Sequence, residues 1–473
     1  MSIIGRRGEI DTLDQCLSSG RPEFVAVYGR RRIGKTFLVR EYFKGTFSFY
    51  ATGIADANMA HQLRAFHFSL LEYGSDEHVP PSDWFEAFAR LKVLLSGYDV
   101  RRDRASSRRV VFLDELPWFD TPRAGFKAAL DWFWNGWASA QSDLMLVICG
   151  SAASWIIDNL LEDHGGFYRR VTRRIHLQPF TLGESEALLR SNGVEIPRRQ
   201  VIESYMVFGG VPHYLNLIDR RSSLAQNIDQ LCFARNGELR NETDLLFRSL
   251  FKHAELHQSL IRELAGRPIG MLRADLVRNL GATDGKQVTK ALFELEQCGF
   301  VRKYHRYGKA KNGHYYQLID SFTLFSYRFM KRNGGTSWLS SLNTPPYHTW
   351  TGLAFELACL VHAAQLKQSL GISGVQSNES AWHSTKTTPG AQIGLLIDRK
   401  DGVINLCEMK FAIGEFSIDA GYERALRNKI QAFLDKERPE KAIHLTLVTS
   451  QGLLHNQHSG IVMNEITGDD LFV

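Results

Sequence analysis

The sequence predicts an α/β protein of several domains, the first of them built on a parallel sheet. Three observations predict it. A fully apolar run at residues 24–28 (FVAVY) leads straight into a glycine-bounded loop at 29–36 (GRRRIGKT) and then into a stretch with helical spacing. Two further apolar runs, at 110–113 (VVFL) and 144–149 (LMLVIC), leave no polar alternation for a solvent face and so read as buried parallel strands. The 473 residues amount to two to four domains at roughly 100–200 residues each.

The composition narrows the class. Hydrophobic residues are 44% and charged residues 23%, which excludes disordered, collagenous and disulfide-scaffold chains. The apolar runs fall far short of the ~20 residues a membrane helix needs, so no spanning segment is expected. The N-terminus (MSIIGRRGE) reaches charge at once, which predicts a cytoplasmic location. Six cysteines, at 16, 149, 232, 298, 359 and 407, form no CxxC pair and read as buried thiols. A net charge of +6 is small for this length, so any nucleic-acid contact has to come from local clusters.

The loop at 29–36 has the spacing GxxxxGK[ST] between a strand and a helix. Its glycines, Gly29 and Gly34, let backbone N–H groups close around phosphate oxygens. The candidate nucleotide contacts are therefore Gly29, Arg30, Arg31, Arg32, Ile33, Gly34, Lys35, Thr36 and Phe37. Lys35 is placed to reach the β and γ phosphates of ATP, and Thr36 to coordinate Mg²⁺. The second apolar run ends in Asp114 and Glu115. An acid at the carboxyl edge of a parallel strand lies beside the metal, so Asp114 is the second Mg²⁺ candidate and Glu115 the general base that polarises water. Lys35 and Glu115 form the expected catalytic pair. Ser151, just past the third run, reads either as a γ-phosphate sensor or as an ordinary turn serine.

Together with the loop and the LDE at 113–115, several other segments follow the order of a known family. These are IIGRRGEIDTL at 3–13, YRRVTRR at 168–174, LQPF at 177–180 and FGGVPHY at 208–214. Over about residues 1–245 the chain resembles the STAND and archaeal-type AAA ATPases. The resemblance implies a leading GRxxE segment that helps hold nucleotide and a small helical lid carrying Gly210 and Pro212. It also implies an arginine from 169–174 near the phosphates, with Arg169, Arg170, Arg173 and Arg174 as candidates; a solvated basic face is the alternative for these four.

The domain expectations run on from there: 1–180 for the ATPase core, 181–250 for the lid, 251–335 for a winged helix and 336–473 for the C-terminal domain. Thr181 to Glu186 has the pattern of a capping segment. Helical stretches at 257–265, 271–280 and 287–297, followed by a hairpin at 298–304 and 314–320, predict the winged helix. Its basic turn, RKYHRYGKAK at 302–311, suits a phosphate-binding wing, whereas the third helix sets only Lys286 and Lys290 against Glu294 and Glu296. DNA contact and purely internal packing both fit this module. A linker is expected at 331–337, with Pro345 and Pro346 reinforcing the boundary.

Beyond it come an amphipathic helix carrying Glu356 and two strand-like runs, 391–398 and 403–410. Glu408 and Lys410 alternate on one face of the second run, with Met409 in the core. A helix acid, a strand acid and Glu-x-Lys make a PD-(D/E)xK pattern, whose carboxylates hold Mg²⁺ and whose lysine orients water. Residues from about 345 to 473 resemble the restriction-endonuclease-like domain that follows many archaeal-type ATPases. The resemblance implies an aspartate where this sequence has Gly394, and Asp398 is the candidate substitute. The candidate nuclease site is thus Glu356, Asp398, Glu408 and Lys410. Two functions follow as expectations. One is an ATP-driven switch controlling a DNA-associated module. The other is an ATP-regulated interaction protein, self-associating or binding another protein, with a degenerate, non-cleaving nuclease domain.

Overall fold

The computed structural model describes residues 2–97, 100–103, 106–151, 153–161, 170–251, 254–281, 285–308, 313–331, 337–384 and 390–473. The chain divides into two compact units, Met1–Gln178 and Pro179–Val473.

In the first unit a helix, α1 (Arg7–Ser18), precedes strand β1 (Glu23–Tyr28) and helix α2 (Lys35–Tyr42). Strand β2 (Phe49–Thr52) and helices α3 (Met59–Glu72) and α4 (Trp84–Leu95) follow. Then come β3 (Arg109–Asp114), α5 (Phe126–Gly136), β4 (Leu144–Gly150) and β5 (Arg173–His176). The five strands form one sheet in the order β2-β3-β4-β1-β5, and every pairing is parallel. Every residue of β1, β3 and β4 is buried, as the apolar runs require of strands covered on both faces. Val25, Val27, Val110, Phe112, Met145 and Val147 pack under Leu38 and Val39 of α2. Because all strands run the same way, the ends of β1, β3 and β4 share one edge, where ligands bind in open parallel sheets.

The second unit starts with the helix Leu182–Ser191, closed by a capping box in which Thr181 and Glu184 satisfy each other's backbone N–H. Helices Arg198–Phe208, Leu224–Cys232 and Glu242–Leu250 follow. Next come helices Ala254–Ala265, Arg273–Asn279 and Gly285–Gln297 with a small antiparallel sheet. The sheet is β6 (Met271–Leu272), β7 (Val301–Tyr304) and β8 (Tyr315–Leu318), in the order β6-β8-β7. The second of these helices starts at Arg273 rather than 271 because Met271 and Leu272 pair with Tyr316 and Tyr315. Gly270 permits that approach: its φ is 77° and a Cβ there would lie 2.2 Å from the Tyr316 carbonyl oxygen.

Pro345 and Pro346 do not break the chain. They open the helix Pro345–Val361 at its first turn, where the missing N–H costs nothing. Most of the expected linker, 332–336, lies outside the described residues. The C-terminal sheet contains β9 (Ser377–Ser384), β10 (Ala391–Arg399) and β11 (Val403–Lys410), with β13 (Ala442–Thr449) and β15 (Asn464–Thr467) beyond two short strands, β12 (Phe416–Ser417) and β14 (Leu453–Leu454). Its order is β15-β13-β11-β10-β9, with β10 antiparallel to both neighbours. The helix Ala420–Glu437 packs Leu426 and Phe433 onto it. All six cysteines are buried thiols. Among the described residues no helix is long and apolar enough to cross a membrane.

Candidate functional site

The loop between β1 and α2 turns on two glycines that act differently. Gly29 has φ 141°, and a Cβ there would meet the Leu177 carbonyl oxygen at 2.3 Å. Gly34, at φ 86°, has open space around it, so its need for glycine is conformational. Lys35 is buried and donates to the carbonyl oxygens of Gly29 (3.1 Å) and Arg30 (2.8 Å), which folds the loop around its ammonium group. Arg30 and Ile33 are buried, Arg31 and Phe37 exposed, and Arg32 half-buried with φ 71°.

At the end of β3 the Asp114 carboxylate accepts from Thr36 Oγ1 at 3.1 Å and from the backbone N–H of Glu115 at 2.9 Å. Burial pushes the Asp114 carboxyl above its usual range, and Glu115 adds to the rise while Thr36 opposes it. The fully buried Cys149 thiol of β4 also bonds to Asp114. Glu115 stands in the left-handed region at φ 46°. Its carboxylate accepts from Ser151 Oγ at 2.9 Å and from the Ser151 N–H at 3.4 Å. The strand between β1 and β3 therefore carries Ser151 to the general-base candidate. Gln62 supports the backbone beyond Glu115, donating to the carbonyls of Ile54 (2.6 Å) and Trp118 (2.9 Å). Gly53 leaves room there, since a Cβ would meet the Glu115 carbonyl at 2.5 Å.

Within the leading GRxxE segment, Arg6 makes the contact with the loop. Only 6% exposed, it donates from Nη1 to the Gln178 carbonyl (2.7 Å) and from Nη2 to the Ile33 carbonyl (3.2 Å). The Arg6 side chain thus ties the leading segment to the backbone of the loop. The arginines of 169–174 fare otherwise. Arg173 and Arg174 lie alongside Val25 and Ala26, partway down β1, and Arg173 is close enough to Glu23 and Cys16 to influence both. They are not at the loop edge of the sheet. Arg170 is exposed, and Arg169 lies outside the described residues.

An ammonium, a hydroxyl and a carboxylate thus converge at a helix N-terminus, a donor set that fits a Mg²⁺-bound nucleotide phosphate. This site has the form of a P-loop nucleotide site. Residues 4–218 match the family described as an ATPase domain predominantly from Archaea, and this part of the chain is an ATPase domain. A curated relative, the uncharacterized protein MJECL04 of Methanocaldococcus jannaschii, is 22% identical over 340 residues, which is 70% of this chain and 69% of that protein. Solved structures with a similar chain course include the Walker-type ATPase PABY2304 of Pyrococcus abyssi, at 16% identity and TM-score 0.49 over 69% of this chain and 96% of that one. Another is the ORC2 protein of Aeropyrum pernix, at 17% identity and TM-score 0.43 over 69% of this chain and 92% of that one.

In the second unit the Glu-x-Lys strand forms a separate cluster. Glu408 accepts from Tyr422 OH and from Lys429 Nζ, both at 2.6 Å, and lies 3.2 Å from Lys410 Nζ. Burial pushes its carboxyl up, but Lys429 and Lys410 outweigh this and hold it below the usual range. Continuing the β10–β11 register from Leu395 opposite Cys407 puts Gly394 opposite Glu408. Gly394 lies within an irregularity in the β9–β10 pairing, and a Cβ there would be 2.0 Å from Glu356 Oε1. Burial, then Glu408, raises the Glu356 carboxyl.

Asp398 does not join them. It stands opposite Ile404, four residues along β10 from Gly394, and pairs with Lys441 at 2.6 Å. The strand rises about 3.3 Å per residue, so no side-chain movement brings it back. Lys429 and Tyr422 escaped sequence reasoning because a helix more than ten residues downstream supplies them.

The wing candidates are also accounted for in part. Arg302 bonds Gln317, and Tyr304 OH bonds the Ile269 carbonyl. Arg306 donates to Tyr315 OH (2.9 Å) and the His383 carbonyl (3.1 Å), and the Tyr307 N–H donates to the Ala381 carbonyl (3.0 Å) on the edge of β9. Tyr307 packs at a tilt against Phe433 in the C-terminal core, with ring centroids 5.2 Å apart and planes at 57°. Lys303, Lys286 and Lys290 stay exposed, while Lys309 and Lys311 lie outside the described residues.

Proposed function

We propose that the chain is a cytoplasmic, nucleotide-controlled switch in which ATP binding and Mg²⁺-dependent hydrolysis at 29–36 govern the state of the C-terminal module. The observation that carries this reading is the 3.1 Å contact of Thr36 with Asp114 beside the loop-wrapped Lys35. Backbone N–H groups from Gly29 to Phe37 would cradle the phosphates, and Lys35 would neutralise the β and γ groups. Thr36 and Asp114 would hold Mg²⁺, which supplies charge neutralisation on the phosphate oxygens. Glu115 takes a proton from the attacking water, and Ser151, now hydrogen-bonded to Glu115, is positioned to exchange that bond for one to the γ-phosphate.

In this reading residues 1–180, 181–250, 251–335 and 336–473 are the ATPase core, lid, winged helix and nuclease-like domain. Two outputs differ in chemistry. A DNA-associated module would use Lys286, Lys290, Lys303 and the C-terminal domain. An interaction module that cuts nothing is favoured by the engagement of Arg306 and Tyr307 with β9 and by the separation of Asp398 from Glu408. Titrating the full chain into duplex and single-stranded DNA, with and without a non-hydrolysable ATP analogue and at two salt concentrations, separates them. Nucleotide-dependent affinity that falls steeply with salt supports the DNA module. Salt-independent absence of binding, with ATP turnover intact, supports the interaction module.

A further inference from the structure

We infer that the Glu356–Glu408 cluster takes no divalent cation, because the Lys429 ammonium occupies the position in which a metal would neutralise Glu408. The nuclease-like reading of these residues requires Mg²⁺, and the donor set does not fit it. A carboxylate offers about four lone-pair directions. Three of those on Glu408 are committed, to Tyr422, Lys429 and Lys410, and both of its oxygens are used. The second carboxylate, Glu356, fills the space over Gly394 where a strand aspartate would project.

The charges agree. Two carboxylates face Lys410, Lys429 and Arg302, all three of which act on Glu356. A dication entering here meets a cluster already neutralised, whereas Mg²⁺ sites retain unpaired carboxylates and several waters. No group of three or more His, Cys, Asp or Glu side chains able to hold a metal exists among the described residues. The cluster therefore joins the helix Ala420–Glu437 to β11 as an internal ion pair.

Counting bound Mn²⁺ tests this, by electron paramagnetic resonance of free Mn²⁺ titrated with the full chain. A Thr36→Ala background removes the hydroxyl beside Asp114, so the readout is independent of ATP turnover and of the switch reading. The background chain is expected to bind no Mn²⁺. Thr36→Ala/Lys429→Gln is expected to gain one equivalent, which Glu408→Gln then abolishes. One equivalent bound by the Thr36→Ala chain and lost with Glu408→Gln overturns the inference, as does a folded Lys429→Gln chain that gains nothing. Circular dichroism establishes folding, and the Thr36→Ala arm, which leaves the cluster intact, decides the matter even where the Lys429 variant unfolds.

Discussion

Replacing Arg6 tests how the leading segment supports the phosphate loop. The side chain is buried and makes two charge-assisted hydrogen bonds to backbone carbonyls, one on the loop at Ile33 and one at Gln178. Hydrogen bonds to a charged group contribute about 1.5–3 kcal/mol each, and truncation leaves both carbonyls short of a donor, so Arg6→Ala should cost about 3 kcal/mol. In a unit of this size each kcal/mol moves the midpoint by about 2–4 °C, which predicts a drop of about 6–12 °C in the transition of the first unit. Calorimetry on the full chain reads it. Arg6 also stands at φ 59°, so Arg6→Gly should recover about 1 kcal/mol relative to Arg6→Ala through relief of the left-handed backbone. Because Ile33 belongs to the loop, affinity for a fluorescent ATP analogue should weaken in both variants. An Arg6→Ala chain melting within about 2 °C of wild type with unchanged nucleotide affinity would refute the latch.

Three further expectations can be read in the same way. Gly29→Ala should lose about 2–3 kcal/mol, because strain at φ 141° adds to a clash with backbone, while Gly34→Ala should lose only about 1 kcal/mol; thermal melts of the two side by side check the order. His362 accepts from the Leu182 N–H at 2.9 Å and burial pushes it down to about 4 from 6.5; its contribution is therefore complete above the unfolded value and is lost as pH falls toward 4. That stabilisation is about 3 kcal/mol, so His362→Gln should flatten the melting-temperature slope between those two pH values relative to wild type. Gly394→Asp should destabilise by about 1–3 kcal/mol, since it puts a third carboxyl against Glu356, and should confer no plasmid cleavage; a stable, cleaving variant would contradict the arrangement.

Much of the first unit is legible in the sequence for a physical reason. Strands buried on both faces must be uninterruptedly apolar, and a loop that binds phosphate through its backbone must carry glycines at fixed offsets. Both are local requirements, so residues 24–36, 110–115 and 144–151 announce themselves. The contacts that organise the site are not local. Arg6 reaches Ile33 and Gln178, Gln62 reaches Trp118, and Cys149 lies beneath Asp114, and none of these pairings leaves a periodic trace.

The same contrast holds in the second unit. The alternation of Glu408, Met409 and Lys410 gives the strand faces directly, and Gly394 marks itself as a departure. Which side chain would fill the space was beyond reach, because Glu356 comes from a helix over thirty residues earlier and Lys429 from one about twenty residues later. The basic stretch at 302–308 reads two ways for a related reason. Arginine and tyrosine suit a phosphate backbone and a protein edge equally well, and here Arg306 and Tyr307 spend their hydrogen bonds on His383 and Ala381.

The central claim is ATP hydrolysis at the loop with Glu115 as the base, and steady-state phosphate release by the full chain tests it most directly. Wild type should release phosphate from ATP only with Mg²⁺ present. Lys35→Ala should abolish it together with nucleotide binding, and Glu115→Gln should retain binding while turnover falls by about 10²–10⁴-fold. Turnover in Glu115→Gln equal to wild type, or turnover undiminished in Lys35→Ala, would contradict the account.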